Sequence, residues 1–522
     1  MTQVSDGEEL AISGRALYCA EQVREMDRRI IASGITGFAL MQRAAAAAWQ
    51  QLKQSWPDVR SISVLCGGGN NGGDGHVLAA LAAAEGVTVQ RILLTPLARL
   101  RDDALRAADM ATAAGVGSED WCAELAFSGE VLVDAMLGTG LTGPVRGDVA
   151  EAINAVNRSE CPILAIDIPS GLAADTGAEL GVAVCATLTV TFIGNKLGLH
   201  TGKGPARTGT LHFYPLGADA ELVTDMPPSA RQLSSALIDA TLAPRERDAH
   251  KGQMGHVLII GGAPGFGGAA LLAAEACARL GAGRISLATA PEHVTASLVR
   301  CPEVMVHGVT TPASIESLMA QVDAVVIGPG LGQGSWGQAM LQRVLAFSGP
   351  LVLDADGLNL LAGRFADVSR ANWILTPHPG EAAHLLGMSV AEVEADRPKA
   401  ALLLRERYQA VVVLKGAGSL IAGPAGLAVC PYGNPGMASG GMGDVLSGML
   451  GTLVCQTPGL ELAAQIAVMV HAQAADYAAS QAGERGLLAS DLAFCARTLV
   501  NPILRMTAGT TTGTQDDAAA TR

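Results

Sequence analysis

Two α/β domains, each a sheet layered between helices, are what the sequence predicts, and three observations predict it. First, "SISVLCGGGNNGGDG" (61–75) and "GHVLIIGGAPGFGGA" (255–269) each run from an apolar, strand-like stretch into glycines and then an alanine-rich, helix-like stretch. That succession is the outline of an α/β ligand-binding unit. Second, "DMPPSARQLSSALIDATLAPRERDAHKG" (225–252) between them is rich in proline and charge, the composition of a boundary. Third, hydrophobic residues make up 49% of the 522 but aromatics only 3%, with 63 glycines. Cores of small aliphatics joined by many tight turns follow from that mixture. The expected division is a first domain over 1–225, a linker over 226–245, a second domain over 246–506 and a disordered tail over 507–522.

The bulk chemistry narrows the partners. A net charge of -14 with no long Lys/Arg run gives no footprint for nucleic acid, so small molecules are expected instead. The ten cysteines show no CxxC and no repeated spacing, which indicates neither a zinc cluster nor a disulfide framework, and they read as core residues in a reducing compartment. "MTQVSDGEELAISGR" lacks a basic region followed by an apolar one, so the cytoplasm is the expected location. The uncharged run 445–460 is broken by Ser, Gly, Gln and Pro and falls short of the ~20 apolar residues a span needs, so no membrane partner is expected. A homo-oligomer is left open.

In chain order, "ALYCAEQVREMDRRIIAS" (16–33) and "GITGFALMQRAAAAAWQQLKQ" (34–54) pattern as amphipathic helices. The strand at 61–66 then enters the turn "GGGNNGGDG" (67–75). Further strands come from "EVLVDAMLGTG" (130–140), "CPILAIDIPSG" (161–171) and "TVTFIGNKLGLHTGKG" (189–204). In the second half the strands lie in "GHVLIIGG" (255–262), "VDAVVIGPGLG" (322–332), "PLVLDADGLN" (350–359), "ANWILTPHPGE" (371–381) and "AVVVLKGAGSL" (410–420). In open parallel sheets the ligand crevice lies beyond the carboxyl ends of the strands, so the Asp, His and Gly residues that follow these runs should gather there.

Consecutive backbone N–H groups at 67–75 can hold phosphate without a net positive charge. Asn70, Asn71 and Asp74 put polar side chains into that turn, which is therefore not the dinucleotide GxGxxG pattern. Asp134, Asp167 and Ser170 end neighbouring strands. One carboxylate among neutral oxygens suits a weakly held monovalent cation better than magnesium, leaving Asp167 to work on substrate. Thr191 and Lys196 face two readings, contact with ligand phosphate or with the reacting group, and a surface lysine is a third.

In the second half "GNPGMASGGMGDVLSG" (433–448) places Asp444 behind glycines where an apolar, helix-like run begins. Unpaired N–H groups and the helix dipole there would stabilise charge on a transferring phosphoryl group. Asp444 can take the proton of an attacking hydroxyl, and the same N–H groups are expected to keep it ionised. Lys415 opens the turn "KGAGS", which differs from a P-loop because its lysine precedes the glycines. Asp354, Asp356 and Asn359 could position substrate or a divalent metal. His378 lies between prolines in a rigid turn, as a ligand contact or a cap, and Glu381 could reach magnesium or its water shell.

"GGGNNGGDGHVLA", "DAMLGTGL", "AIDIPSG" and "TVTFIGNK" resemble the YjeF N-terminal family, the NAD(P)H-hydrate epimerases. The resemblance implies a Rossmann-like three-layer domain that interconverts the R and S forms of NADH or NADPH hydrated at C6. It implies that the hydrate lies against Asn70, Asn71, Gly72, Gly73 and Asp74 and against Gly138, Thr139, Gly140, Leu141, Thr142, Gly143 and Pro144. It also implies potassium on Asn71, Asp134 and Ser170, and Asp167 as acid/base. "LMQRAA" carries Ala45 where the family has glycine.

"HKGQMGHVLIIGG", "CPEVM", "GPGLG", "DADGLN", "TPHPGE", "KGAGS", "GNPGMASGGMGDVLSG" and "GERGLLASDL" resemble the YjeF C-terminal family, ADP- or ATP-dependent NAD(P)H-hydrate dehydratases. That implies a ribokinase-like three-layer domain in which Ala263, Gly330, His378 and Asp444 surround the hydrate. Lys415, Gly416, Ala417, Gly418, Ser419 and Gly443 would surround an adenine nucleotide carrying magnesium. ADP is the donor implied by the fused arrangement, giving AMP and phosphate, with ATP open. Ala263 and Phe266 replace an expected Ser and Tyr. The competing readings are a ribokinase-like small-molecule kinase fused to a non-catalytic domain, which would accumulate a phosphorylated product, and a scaffold that binds ligand without turnover.

Overall fold

The computed structural model describes residues 14–218 and 225–501, and the tail expected to be disordered lies outside the described residues. The strands are β1 (Arg15–Leu17), β2 (Ser61–Cys66), β3 (Thr88–Leu93), β4 (Glu119–Asp120), β5 (Val131–Ala135), β6 (Ile163–Ile166), β7 (Leu188–Phe192), β8 (Thr210–Tyr214) and β9 (Ala230–Gln232). Then come β10 (His256–Ile260), β11 (Arg284–Thr289), β12 (Met305–Gly308), β13 (Ala324–Ile327), β14 (Leu351–Leu353), β15 (Trp373–Leu375), β16 (Val411–Leu414), β17 (Leu420–Gly423) and β18 (Gly426–Val429).

The first sheet is wholly parallel, in the order β4-β3-β2-β5-β6-β7-β8. Such a sheet is covered on both faces, and successive side chains divide between them. Ile62 and Val64 of β2 pack with Trp49, Leu52 and Leu78 on one face, whereas Leu65 packs with Ala152, Ile153 and Val156 on the other. The strand order reverses between β2 and β5, where a doubly wound sheet opens its crevice.

The second sheet runs β1-β9-β18-β17-β16-β15-β14-β13-β10-β11-β12. From β16 to β12 it is parallel, with its reversal between β10 and β13. Val257 and Ile259 of β10 face the helices Gly267–Leu280, Met442–Leu453 and Leu460–Ala482, while Leu258 and Ile260 face the opposite helical layer. Both halves are therefore three-layer α/β units.

The far edge of this sheet differs from the expectation. The stretch 226–245, read as a linker, carries β9 and the helix Ala236–Thr241, and Leu233 and Ile238 are buried in the second core. β9 lies parallel to β18, and β1, from the very start of the described chain, pairs antiparallel with β9. Composition reports how well a stretch tolerates water, but strand addition is made by main-chain groups that nearly every residue owns. The helix expected over 16–33 is Ala20–Ala32, shortened because the first residues of that run join β1, and the one expected over 34–54 is Gly37–Ser55, capped by Thr36. Cys66, Cys277, Cys301 and Cys430 are buried as expected, but Cys122 and Cys185 are exposed. No single helix among the described residues is long and apolar enough to cross a membrane.

Candidate active sites

The first site is a cavity of about 730 Å³ at the β2/β5 reversal. The helix Asn70–Ala84 starts there behind Gly69, with no side chain capping it. Gly68, Gly69, Asn70, Asn71 and Asp74 line the cavity on one side, and Gly138, Thr139, Gly140, Leu141 and Thr142 on another. Gly72, Gly73, Gly143 and Pro144 are not in the lining. Gly72 and Gly73 serve packing: a Cβ on Gly72 would lie 2.0 Å from the Gly67 carbonyl oxygen, and one on Gly73 2.5 Å from Met41 Cε. The Gly73 amide is also taken by the Gly69 carbonyl within the helix. The amides open to an anion are thus those of the first turn.

Asp134, Ser170 and Asn71 meet beneath this turn. Asp134 is fully buried and accepts hydrogen bonds from the Ser170 amide (2.7 Å), the Ser170 hydroxyl (2.5 Å) and the Met136 amide (3.2 Å). Burial pushes its pKa up to about 6 against those hydrogen bonds. Asn71 donates through Nδ2 to the Leu137 carbonyl at 2.9 Å, while its buried Oδ1 has no partner. Asn71 Oδ1 is thus a buried acceptor without a donor in the same cluster of oxygens as one carboxylate. Among the described residues no three His, Cys, Asp or Glu side chains are grouped to hold a metal ion.

Asp167 has a positive φ of 67°, an uncommon backbone state that turns its carboxylate into the cavity. Its Oδ1 is paired with Lys196 Nζ, which also donates to Thr191 Oγ1 and the Phe192 carbonyl, both at 2.9 Å. Lys196 is only 1% exposed, so the surface reading of this lysine is corrected: it is a buried partner of Asp167. Asp27, on the helix Ala20–Ala32, lines the same cavity and was missed, because a lone Asp among "REMDRR" looks like a solvated helix face. Burial first, and then Asp167, raise the pKa of both Asp27 and Asp74, well up in the case of Asp74.

The second site gathers at the strand ends on both sides of the β10/β13 reversal. Asp354, at the end of β14, is fully buried and accepts from Lys415 Nζ (2.8 Å), Thr376 Oγ1 (2.8 Å) and Ser447 Oγ (2.7 Å). Burial, the largest single influence, opposes its charge, but Lys415 with the Ser447 and Thr376 hydroxyls outweighs it and holds the carboxyl below the usual range. Lys415 lies 3.7 Å from Glu381 as well. Gly443 backs onto this pair, since a Cβ there would be 3.2 Å from Lys415 Nζ. The two glycine turns 415–419 and 440–443 therefore meet at one ion pair.

The helix Met442–Leu453 begins behind Gly441, at φ 92°, with no side-chain cap. Asp444 lies in its first turn. The expectation that neighbouring amides keep it ionised is overturned: burial and then the Asp354 carboxylate push its pKa up to about 7, with Lys415 opposing. His378 caps the helix Pro379–Leu386 by accepting from the amides of Gly380 (3.0 Å) and Glu381 (3.3 Å) at Nδ1. Its ring remains 57% exposed on that loop, so capping and ligand contact are compatible. Glu381 completes the capping box on the His378 amide at 2.7 Å. Asp356 is engaged by the Gly332 amide and Gln333, and Asn359 by His384, so with Asp354 they do not converge on a divalent site. Ala263 donates its amide to the Gly330 carbonyl at 2.7 Å, which joins those two turns. Thr376 and Ser447, which hold Asp354, carried no signal in a sequence where isolated hydroxyls are everywhere.

Residues 37–198 match the YjeF-related protein N-terminus family, and residues 257–497 match the NAD(P)H-hydrate dehydratase family. The bifunctional NAD(P)H-hydrate repair enzyme Nnr of Coxiella burnetii (strain RSA 493 / Nine Mile phase I) is 47% identical over 487 residues, which cover 93% of this chain and 99% of that one. Its counterpart in Escherichia coli (strain K12) is 43% identical over 93% of this chain and 94% of its own. Among solved structures, the ADP/ATP-dependent NAD(P)H-hydrate dehydratase of Bacillus subtilis, co-crystallised with ATP/Mg2+, is 30% identical, covering 51% of this chain and 96% of its own with a TM-score of 0.46.

Proposed function

From the premise that the chain belongs to the bifunctional NAD(P)H-hydrate repair enzymes, an epimerase domain joined to a dehydratase domain, we propose which groups do the chemistry. In the first site the hydrate's phosphates rest on the open amides behind Gly69, and the hydrated ring reaches Asp167. Loss and return of water at C6, through an iminium-like species or ring opening, scrambles that centre, and either route moves a proton at the hydroxyl. Asp167 moves it, held in place by Lys196. The residues fit potassium: Asn71 Oδ1, Asp134 and Ser170 would hold it. When bound it would supply positive charge under the turn. Exchanging potassium for tetramethylammonium is expected to abolish epimerisation and spare dehydration, read by separating the two epimers over time.

In the second site the S hydrate and the nucleotide meet at Asp444. The C6 hydroxyl oxygen attacks the terminal phosphoryl of ADP while Asp444 accepts its proton, so AMP departs. The ring nitrogen lone pair then expels phosphate from C6, and loss of a proton from C5 forms the double bond of NAD(P)H. The open amides at 442–444 face the transferring group. The residues offer magnesium no ligand set of their own, because Asp354, Asp356 and Glu381 are already engaged, and no step here passes through that ion.

The observation that carries this reading is Asp444, a carboxylate with a pKa near 7 at an uncapped helix start beside the Lys415–Asp354 pair. A base matched to neutral pH is what proton abstraction from an alcohol needs. Mixed epimers of hydrated NADH, offered with ADP, ATP or neither, test it. Asp444→Asn should lower dehydration by about 100-fold or more while nucleotide binding and epimer exchange persist. Asp167→Ala should do the reverse. Near-normal dehydration by Asp444→Asn would remove Asp444 from the mechanism.

A further inference from the structure

The turn 415–419 belongs to the second domain, but its back is held by the first. The Gly202 amide donates to the Ala417 carbonyl at 3.1 Å, and Thr201 Oγ1 donates to the Gly418 carbonyl at 3.0 Å. Thr201 is fully buried. Arg397, 1% exposed, holds the Lys415 carbonyl at 3.2 Å and reaches Thr201 Oγ1 at 3.5 Å. Approach is close enough that a Cβ on Gly418, at φ 60°, would lie 1.8 Å from the His200 carbonyl oxygen.

In a planar trans peptide the C=O and the following N–H point in opposite directions. Fixing the Ala417 carbonyl against Gly202 therefore aims the Gly418 amide away from the first domain, and fixing the Gly418 carbonyl against Thr201 aims the Ser419 amide the same way. The amides of Ala417 and Gly418 have no partner among the described residues, and Gly416 and Ala417 are exposed. Two successive peptide planes of an anion-binding turn are thus oriented by residues of the epimerase half.

We propose that Thr201 is a positioning residue for the dehydratase: it sets the amides of 418–419 that grip the nucleotide, so tight donor binding in the second domain depends on the first. This rests on the reading of 415–419 as the nucleotide turn.

The test uses the full chain with ADP and ATP as probes, comparing wild type with Thr201→Val and Thr201→Ser. Thr201→Val should raise the donor Kd and KM about three- to tenfold, the worth of one neutral hydrogen bond, with kcat, the hydrate KM and epimerisation within twofold. Thr201→Ser, which keeps the hydroxyl, should restore the donor Kd. An unchanged donor Kd in Thr201→Val, or equal impairment in Thr201→Ser, overturns the proposal. Amide hydrogen exchange of the wild type needs no variant: donor binding should slow exchange at 200–202 as well as at 415–419. Protection at 415–419 without any at 200–202 overturns the positioning role alone. Absence of protection at 415–419 at saturating donor overturns the nucleotide-turn reading, and this inference with it.

Discussion

Asp444 is held near the first turn of a helix, yet burial and the Asp354 carboxylate keep its proton to about neutral pH. Its folded pKa lies above the unfolded value, so the folded state binds the extra proton and loses stability as pH rises from about 4 to about 7. Above that window the full cost of a buried charge persists. Asp444→Asn removes it, and at pH 8 is expected to gain roughly 1–3 kcal/mol, less than the whole shift implies because water reaches part of the group. At pH 4 the gain should vanish. Thermal melts of both proteins at the two pH values measure it, and an equal shift in Tm at both would contradict the assignment. Asp167 and Asp444 were legible because each follows a strand or a glycine run. Asp27 was not, since only the folding of a separate helix brings it to the cavity.

The helix Asn70–Ala84 illustrates which glycines an element requires. Gly69 has open space around its missing Cβ, whereas one on Gly72 would overlap the Gly67 carbonyl oxygen. Gly72→Ala should therefore cost about 2–4 kcal/mol and most epimerase activity, and Gly69→Ala should stay within about 0.5 kcal/mol. Urea midpoints and epimer exchange check the pair. At this scale the central strands β2, β5, β10, β13 and β16 could be read as apolar runs. β3, "TVQRIL", could not, because its Arg91 is 2% exposed and donates through its two terminal nitrogens to the carbonyls of Ala108 and Val116. A buried cation held by carbonyls has no signature in local pattern, since its partners lie on a different helix and turn.

Over the whole molecule, the two halves are sewn together by β1 and β9 at the edge of the second sheet and by the 200–202 contact. A fragment 246–501 would lose both strands and bare the main chain of β18. Compared with 226–501, which keeps β9, it is expected to show a lower urea midpoint and a greater tendency to aggregate. Equal midpoints would mean that β9 contributes nothing to the edge. The boundary was the least legible feature: proline and charge marked 226–245 as a linker, but gave no hint that this stretch carries β9 or that β1 pairs with it.

β1 also sets an order of events at the ribosome. It is synthesised before the whole epimerase sheet, but the strand it needs, β9, emerges only after that sheet. At 5–20 residues per second the interval is roughly 10 to 40 s, long enough for the intervening sheet to form first. The first of the described strands is thus among the last to find its neighbour, and a nascent chain carries it without β9 throughout that interval.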